Sequence, residues 1–247
     1  MDRTSGERSL DGKSVLVTGA SSGLGQGIAI ACAAAGANVA LVARREERLR
    51  EVASQIEAAG RRAVICPADV GNEAAVLAAV TRAREALGSI DVLVNNAGTN
   101  VKARSVSETS SDEWRKLLDV NLTSAFLFTK ALLPEMMARE SGTIINISSM
   151  AAVHPSLLAG VAYSASKLGM EALTEVTNEE ANPHNVRACS ICPGEVNTAI
   201  LDLRPSPPPP EKRQVMLQSE DLAATVLLIA SLPSRAHIEK VLIKPTR

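Results

Sequence analysis

Aromatic residues are scarce in this 247-residue chain, which has one Trp, one Tyr and two Phe. That scarcity argues against an aromatic-rich binding surface and for small side chains packed between helices and a sheet. A charge excess of either sign is also missing. Lys and Arg number 26, Asp and Glu 27, and the net charge is -1, so no basic surplus is available to hold nucleic acid or an anionic membrane. No apolar run reaches the ~18–20 residues needed to span a bilayer. The first eight residues are polar and lack the apolar core of a signal peptide, so the expected location is the cytoplasm. Cysteine is limited to Cys32, Cys66, Cys189 and Cys192. The last two match C-x-x-C, but they fall in a predicted strand, where residues three apart point to opposite faces; they read as buried thiols, not a metal or redox site. His154, His184 and His237 have no metal-like spacing, and only His154, close after Ser149, is expected near a substrate. Two N-x-S/T matches, at Asn121 and Asn146, are discounted because glycosylation requires a secreted protein.

What the chain does have is Ala, Val, Leu and Ile in quantity; hydrophobic residues make up 46% of it, enough for a sizeable core. Apolar strand-like runs at 14–18, 38–43, 62–66, 91–94, 143–147, 186–191 and 240–244 alternate with helical patterns at 23–35, 46–59, 72–87, 111–138, 162–181 and 219–231. Near-continuous apolar strands separated by helices predict an α/β fold: one doubly wound, Rossmann-type parallel sheet of seven strands with helices on both faces. The expected organisation is a polar tail over 1–10 and a single domain over 11–247. The composition breaks only at 204–211, where Pro207 to Pro210 stand in a row. Consecutive prolines cannot continue a helix and predict a stiff, extended surface loop.

Three stretches carry chemistry. Tyr163, the only tyrosine, precedes Lys167 by four residues, one turn along the same helix face. A free phenol has a pKa near ~10, and lowering it by roughly 3 units takes about 4 kcal/mol. A positive charge ~4 Å away at an effective dielectric of ~20 supplies about that much, so the pair suits proton transfer. The second stretch, Thr18 to Gly25, joins the first strand to the first helix as T-G-A-S-S-G-L-G. Glycines there let a ligand approach the backbone, and the helix N-terminus attracts a pyrophosphate. Its spacing, G-x-x-x-G-x-G, is not G-x-G-x-x-G, and no Gly-Lys-Ser/Thr closes it as a P-loop would. The third is Arg44-Arg45, at the end of the second strand, where an acidic residue would favour NAD; a guanidinium fork there suits the 2′-phosphate of NADP.

Together these stretches resemble the short-chain dehydrogenase/reductase family, in its NADP-preferring branch. The family's T-G-x-x-x-G-x-G is met by Thr18, Gly19, Gly23 and Gly25. Its Asp-Val after the third strand is met by Asp69-Val70, and N-N-A-G by Asn95, Asn96, Ala97 and Gly98. Asn121 on the long helix, Ser149 after the fifth strand, Y-x-x-x-K at Tyr163 and Lys167, and P-G at Pro193-Gly194 with Thr198 follow in order. The similarity spans about residues 11–247. The C-terminal stretch, 235–246, departs from the glycine-rich ending of the family's acyl-carrier reductases.

The resemblance implies hydride transfer between NADP(H) and a small carbonyl or secondary alcohol, with NADP(H) preferred over NAD(H). Ser149 would hydrogen-bond the substrate oxygen, Tyr163 would exchange its proton, Lys167 would acidify the phenol and hold the nicotinamide ribose, and Asn121 would hold a relay water. Ser148 is the neighbouring alternative to Ser149. The cofactor would contact Gly19, Ser21, Ser22, Gly23, Leu24, Gly25, Arg44, Arg45, Asp69, Val70, Asn96, Ala97, Gly98, Tyr163, Lys167, Pro193, Gly194, Val196 and Thr198. The substrate loop corresponds to about 195–217, and the family's habit implies a homodimer or homotetramer. Neither a metal nor a nucleic-acid or membrane partner is implied. The alternative, a non-catalytic NADP-binding regulatory or scaffold protein of the same fold, would need no proton relay, and the set Asn121, Ser149, Tyr163 and Lys167 argues against it.

Overall fold

The computed structural model describes residues 9–246; the polar tail expected over 1–10 lies almost wholly outside the described residues. Seven parallel strands form one sheet in the order β3-β2-β1-β4-β5-β6-β7. They are β1 (Ser14–Thr18), β2 (Asn38–Ala43), β3 (Ala63–Pro67), β4 (Val92–Asn95), β5 (Gly142–Ile147), β6 (Val186–Pro193) and β7 (Lys240–Ile243). Alternate residues of a strand serve opposite faces. Val15 and Val17 join one core with Ile28 of α1 (Gly23–Ala34), Leu49 and Ile56 of α2 (Glu46–Ala58). Leu16 joins the other with Val76 and Val80 of α3 (Glu73–Leu87). Helices on both faces explain why the inner strands are apolar throughout. The sheet is the doubly wound arrangement expected from the strand–helix alternation.

β1 pairs with β2 on one side and β4 on the other, so the chain reverses its direction of sheet growth at β1. A crevice opens outside the strand ends at such a point. The residues that follow β1, β4, β5 and β6 all face it.

The predicted helix over 111–138 is interrupted. It runs as α4 (Ser111–Leu118), a wide π turn at Asp119–Thr123 and α5 (Ser124–Ala138). The wide turn carries Asn121 fully inside, where its Oδ1 accepts from Thr99 N at 2.8 Å and its Nδ2 donates to Thr99 O at 3.0 Å. Side-chain bonding to a neighbouring loop accompanies the break in the α-helical ladder, a common feature of functional sites. Phe128 of α5 is wholly buried in the core. Trp114 and Phe126 are exposed.

Beyond β5 come a short helix, α6 (Met150–Val153), and α7 (Val161–Ala181), which carries Tyr163 and Lys167. Asn178 pins α7 to β6, donating to Ala188 O at 2.9 Å and accepting from Ala188 N at 2.6 Å. β6 extends two residues beyond its predicted end, to Pro193. Cys189 and Cys192 lie within it as buried free thiols.

The loop over 195–217 is closed at its neck by a bridge between Val196 and Leu217. The expectation that the prolines form only extended chain needs correction. Pro209 is extended, but Pro210 begins the short helix α8 (Pro210–Gln214). Proline fits the first helical turn because its missing N–H would have no partner there. α9 (Ser219–Ala230) follows, packed against α1. Among the described residues no helix is long and apolar enough to cross a membrane.

Replacing Asn178 with Ala leaves the buried Ala188 amide of β6 without its side-chain partner, and leaves the Ala188 carbonyl with His237 Nε2 alone, at 2.9 Å. It is expected to lower stability by about 1–3 kcal/mol. Urea unfolding with an unchanged slope would check this.

Candidate active site

A cavity of about 750 Å³ follows the strand ends, lined by residues from Gly19, Arg44 and Asp69 at one end to Tyr163 and Arg204 at the other. The turn after β1 shapes the first end. Thr18 Oγ1 accepts from the backbone N–H groups of Asn96 and Ala97 at 2.9 Å each, and Asn96 Nδ2 donates to Thr18 O at 2.8 Å. These bonds lock the glycine turn onto the end of β4. Gly19 has a φ of 68°, and a Cβ there would meet Asn96 Nδ2 at 2.9 Å. A Cβ on Gly25 would stand 2.3 Å from Gly19 O. Both glycines are required by close backbone approach.

The first turn of α1 has no capping side chain and no acidic residue. Its amides and dipole therefore face the cavity ready for an anion. Arg45 folds back over the same turn, donating from Nη2 to Ser22 Oγ at 2.9 Å and to Ser21 Oγ at 3.2 Å. Arg44 and Asp69 line this end from neighbouring strand ends. The dinucleotide expected from the sequence fits these groups: free helix amides for its pyrophosphate, and a guanidinium with two hydroxyls beyond them.

At the other end, β5 and α7 bring three expected residues together. Ser149 begins α6, its Oγ accepting from Ala151 N at 3.1 Å, and faces the Tyr163 phenol. Ser148 is turned away, buried, with its Oγ donating to Lys167 O at 3.3 Å. The geometry thus separates the two serines that the sequence left adjacent.

Lys167 is 3% exposed, and its Nζ donates to Ile147 O at 2.6 Å. Burial pulls its pKa down from 10.5 to about 8, against the opposing charges of Cys192 and Glu171. Burial likewise pushes the Tyr163 phenol above its ordinary value. The Ser149 hydroxyl and the charges of Arg104 and Arg204 act in the other direction. The acidifying charge was expected from Lys167 at ~4 Å; in the structure its Nζ lies 5.8 Å from the ring centre and is turned to the β5 carbonyl. The guanidinium charges that act on the phenol, those of Arg104 and Arg204, come from other loops, so no local spacing announced them.

Of the catalytic and cofactor-contacting residues expected from the sequence, only Gly25 and Asn121 do not line the cavity; the motif residues Thr18 and Asn95 also lie off it. Gly25 packs beneath Gly19. Asn121 supports Thr99 and donates to Ser166 Oγ at 3.1 Å, and its Oδ1 and Lys167 Nζ both border Gly98. Asn96 lines the cavity, but its amide is committed to Thr18. His154 also lines the cavity. Missed by sequence reasoning was Arg104, which lies in an irregular loop after β4 with no motif around it. Among the described residues no His/Cys/Asp/Glu trio is grouped to hold a metal.

The lowered pKa of Lys167 sets a pH dependence. Between about 8 and 10.5 the unfolded lysine holds a proton that the folded one has lost. Stability from this group therefore rises with pH across that window. Relative to Lys167→Met, the wild-type protein is expected to gain up to roughly 3 kcal/mol from pH 8 to 10.5. Parallel denaturant titrations of the two proteins would measure it, and a flat difference would refute it.

The comparisons agree with this geometry. The short chain dehydrogenase family model matches residues 13–207. An uncharacterized oxidoreductase of Staphylococcus aureus strain MW2 is 31% identical over 96% of this chain and 98% of its own length. The crystal structure of a metagenomic short-chain oxidoreductase in complex with NADP has a TM-score of 0.84 and 36% identity, covering 97% of this chain and 99% of that one. A 7α-hydroxysteroid dehydrogenase complexed with NADH and 7-oxo glycochenodeoxycholic acid has a TM-score of 0.88 at 27% identity, with 97% and 96% covered. Fold, ordered motifs and family match coincide over most of the chain: it belongs to the short-chain dehydrogenase family and is an oxidoreductase of that family.

Proposed function

We propose that the protein is an NADP(H)-dependent oxidoreductase that interconverts a small carbonyl compound and its secondary alcohol, with Tyr163 as the acid/base. The observation that carries this is the meeting of Tyr163, Ser149 and Lys167 at one end of a cavity whose other end offers helix amides and Arg45. The bound nicotinamide supplies or accepts the hydride. In reduction Tyr163 gives its proton to the substrate oxygen, and in oxidation it takes the proton back. Ser149 donates a hydrogen bond to the same oxygen and steadies its developing charge. Lys167 holds the nicotinamide ribose, and Asn121 and Gly98 border the route by which its proton is renewed.

The preference for NADP(H) over NAD(H) rests on Arg44 and Arg45, with the Ser21 and Ser22 hydroxyls bonded to Arg45. A planar guanidinium beside two hydroxyls complements a 2′-phosphate. Exposed Phe126 on α5 and exposed Leu168 and Val176 on α7 support a homodimer or homotetramer. The even balance of charges supports small molecules, not nucleic acid, as the partners of an enzyme expected in the cytoplasm.

Tyr163→Phe is expected to reduce turnover by about 10²–10⁴-fold, the usual worth of a positioned acid/base. Its cofactor affinity should stay near that of the wild type. Nicotinamide absorbance over a panel of carbonyl compounds and alcohols would read both, and near-normal turnover would sink the mechanism.

Arg45→Ala is expected to weaken NADPH binding about 10- to 100-fold and NADH binding less than about twofold, as loss of a charged hydrogen-bond partner requires. Fluorescence titration of each cofactor would measure this. Equal losses would contradict the NADP preference.

A further inference from the structure

The substrate end of the cavity carries more positive charge than the proton-transfer chemistry uses. Arg104 lines it and is only 5% exposed. Its Nη1 donates to Ala159 O at 2.9 Å, in the loop before α7, and its Nη2 to Leu203 O at 2.8 Å, in the loop after β6. A guanidinium has five N–H donors, so two carbonyl bonds leave the others over. Among them Nε is buried and has no partner. Among the described residues no carboxylate pairs with Arg104.

Arg204 lines the same end and is paired with Glu195 at 2.7 Å. Of the two guanidinium groups, only Arg204 has a carboxylate partner. Both are near enough to act on the Tyr163 phenol, and burial together with Arg204 lowers the pKa of Arg104. Tying two loops together would need only a neutral amide. A buried cation is costly without an opposite charge. The missing charge is best supplied from the cavity.

We propose that Arg104, assisted by Arg204, receives a carboxylate of the substrate, so that the enzyme acts on short oxo acids and hydroxy acids; this rests on Tyr163 serving as the acid/base for the carbonyl. The planar fork of a guanidinium can take a carboxylate through paired N–H donors. Such an anchor fixes the distance from the acid group to the carbonyl and orients the carbonyl toward Tyr163 and Ser149. Leu201 and Leu203 add apolar wall to this end of the cavity. A carboxylate there also adds negative charge near the phenol, which favours its protonated form, the one that donates in reduction.

The test separates anion binding from catalysis. With NADP⁺ saturating, malonate, succinate and glutarate are titrated calorimetrically against their dimethyl esters. At least one diacid is expected to bind wild-type protein at least tenfold more tightly than its ester. Arg104→Gln should remove that preference while NADP⁺ affinity stays within about twofold of wild type. No preference in wild type, or full preference in Arg104→Gln, overturns the proposal. Should Arg104→Gln fail to fold, the diacid–ester comparison in wild type decides together with Arg204→Gln, which is expected to weaken the diacid selectively.

Turnover is then measured with acetoacetate and methyl acetoacetate. Diacid binding without reduction of either compound by NADPH or NADH would count against the carbonyl reduction proposed at Tyr163 and leave the anion site standing. Reduction of the ester in preference to the acid would keep the oxidoreductase function and overturn the anion site.

Discussion

A lysine kept almost out of water is the constraint on which the rest of the site depends. Lys167 has one close backbone partner, Ile147 O, at the end of a central strand. Holding an ammonium there requires a helix pinned in register to the sheet. Asn178 does this by bonding both the N–H and the C=O of Ala188. One turn beyond Lys167, Glu171 accepts from Ser190 Oγ at 2.9 Å and pairs with Lys240 at 2.7 Å. The carboxylate offsets part of the lysine's desolvation, and its own charge is answered from the sheet edge. The helix that presents Tyr163 is thus tied to the sheet mainly by buried polar bonds, which fail if register or rotation changes.

A second lock works at the other end of the cavity. Thr18 joins the end of β1 to that of β4 through three hydrogen bonds, two with Asn96 and one with Ala97. The glycine turn then passes so close to β4 that side chains at Gly19 and Gly25 would collide with it. The turn is held rigid before any ligand arrives, and the first amides of α1 are aimed into the cavity. Preorganised dipoles of this kind bind an anion without reorganising. The two locks sit on strands at the point where the sheet reverses its growth, so both ends of one cavity share a common frame.

Much of this was legible in the chain itself. Seven apolar runs alternating with amphipathic stretches determined the sheet and its layers, because burial on both faces leaves a continuous apolar signature. Short motifs with fixed spacing, such as Thr18 to Gly25 and Tyr163 to Lys167, were legible because local backbone geometry places their members together. Less legible was the division of labour inside a motif. Ser148 and Ser149 differ only in which way each faces after β5, and Asn96 proves to be a clamp on Thr18. The π turn at Asp119–Thr123 was hidden because its residues have ordinary helical character; bonding of Asn121 to Thr99 accompanies the wider turn. The helical start at Pro210 was obscured by the three prolines before it.

The sequence by itself determined the fold class, the order of strands and helices, the glycine turn after β1 and the tyrosine–lysine pair. Each depends on interactions between residues close in the chain or on a repeated burial pattern. Only the tertiary structure decided which charges surround the phenol. Arg104 and Arg204 are 100 positions apart along the chain by their numbers, yet both act on Tyr163. The tyrosine–lysine pair, legible as an ammonium acidifying a phenol, becomes in three dimensions a lysine held by a β5 carbonyl and a phenol that feels the charges of two arginines. The reason is physical: electrostatic environment depends on distance and burial in space, and loop closure sets both without leaving a periodic trace in the sequence.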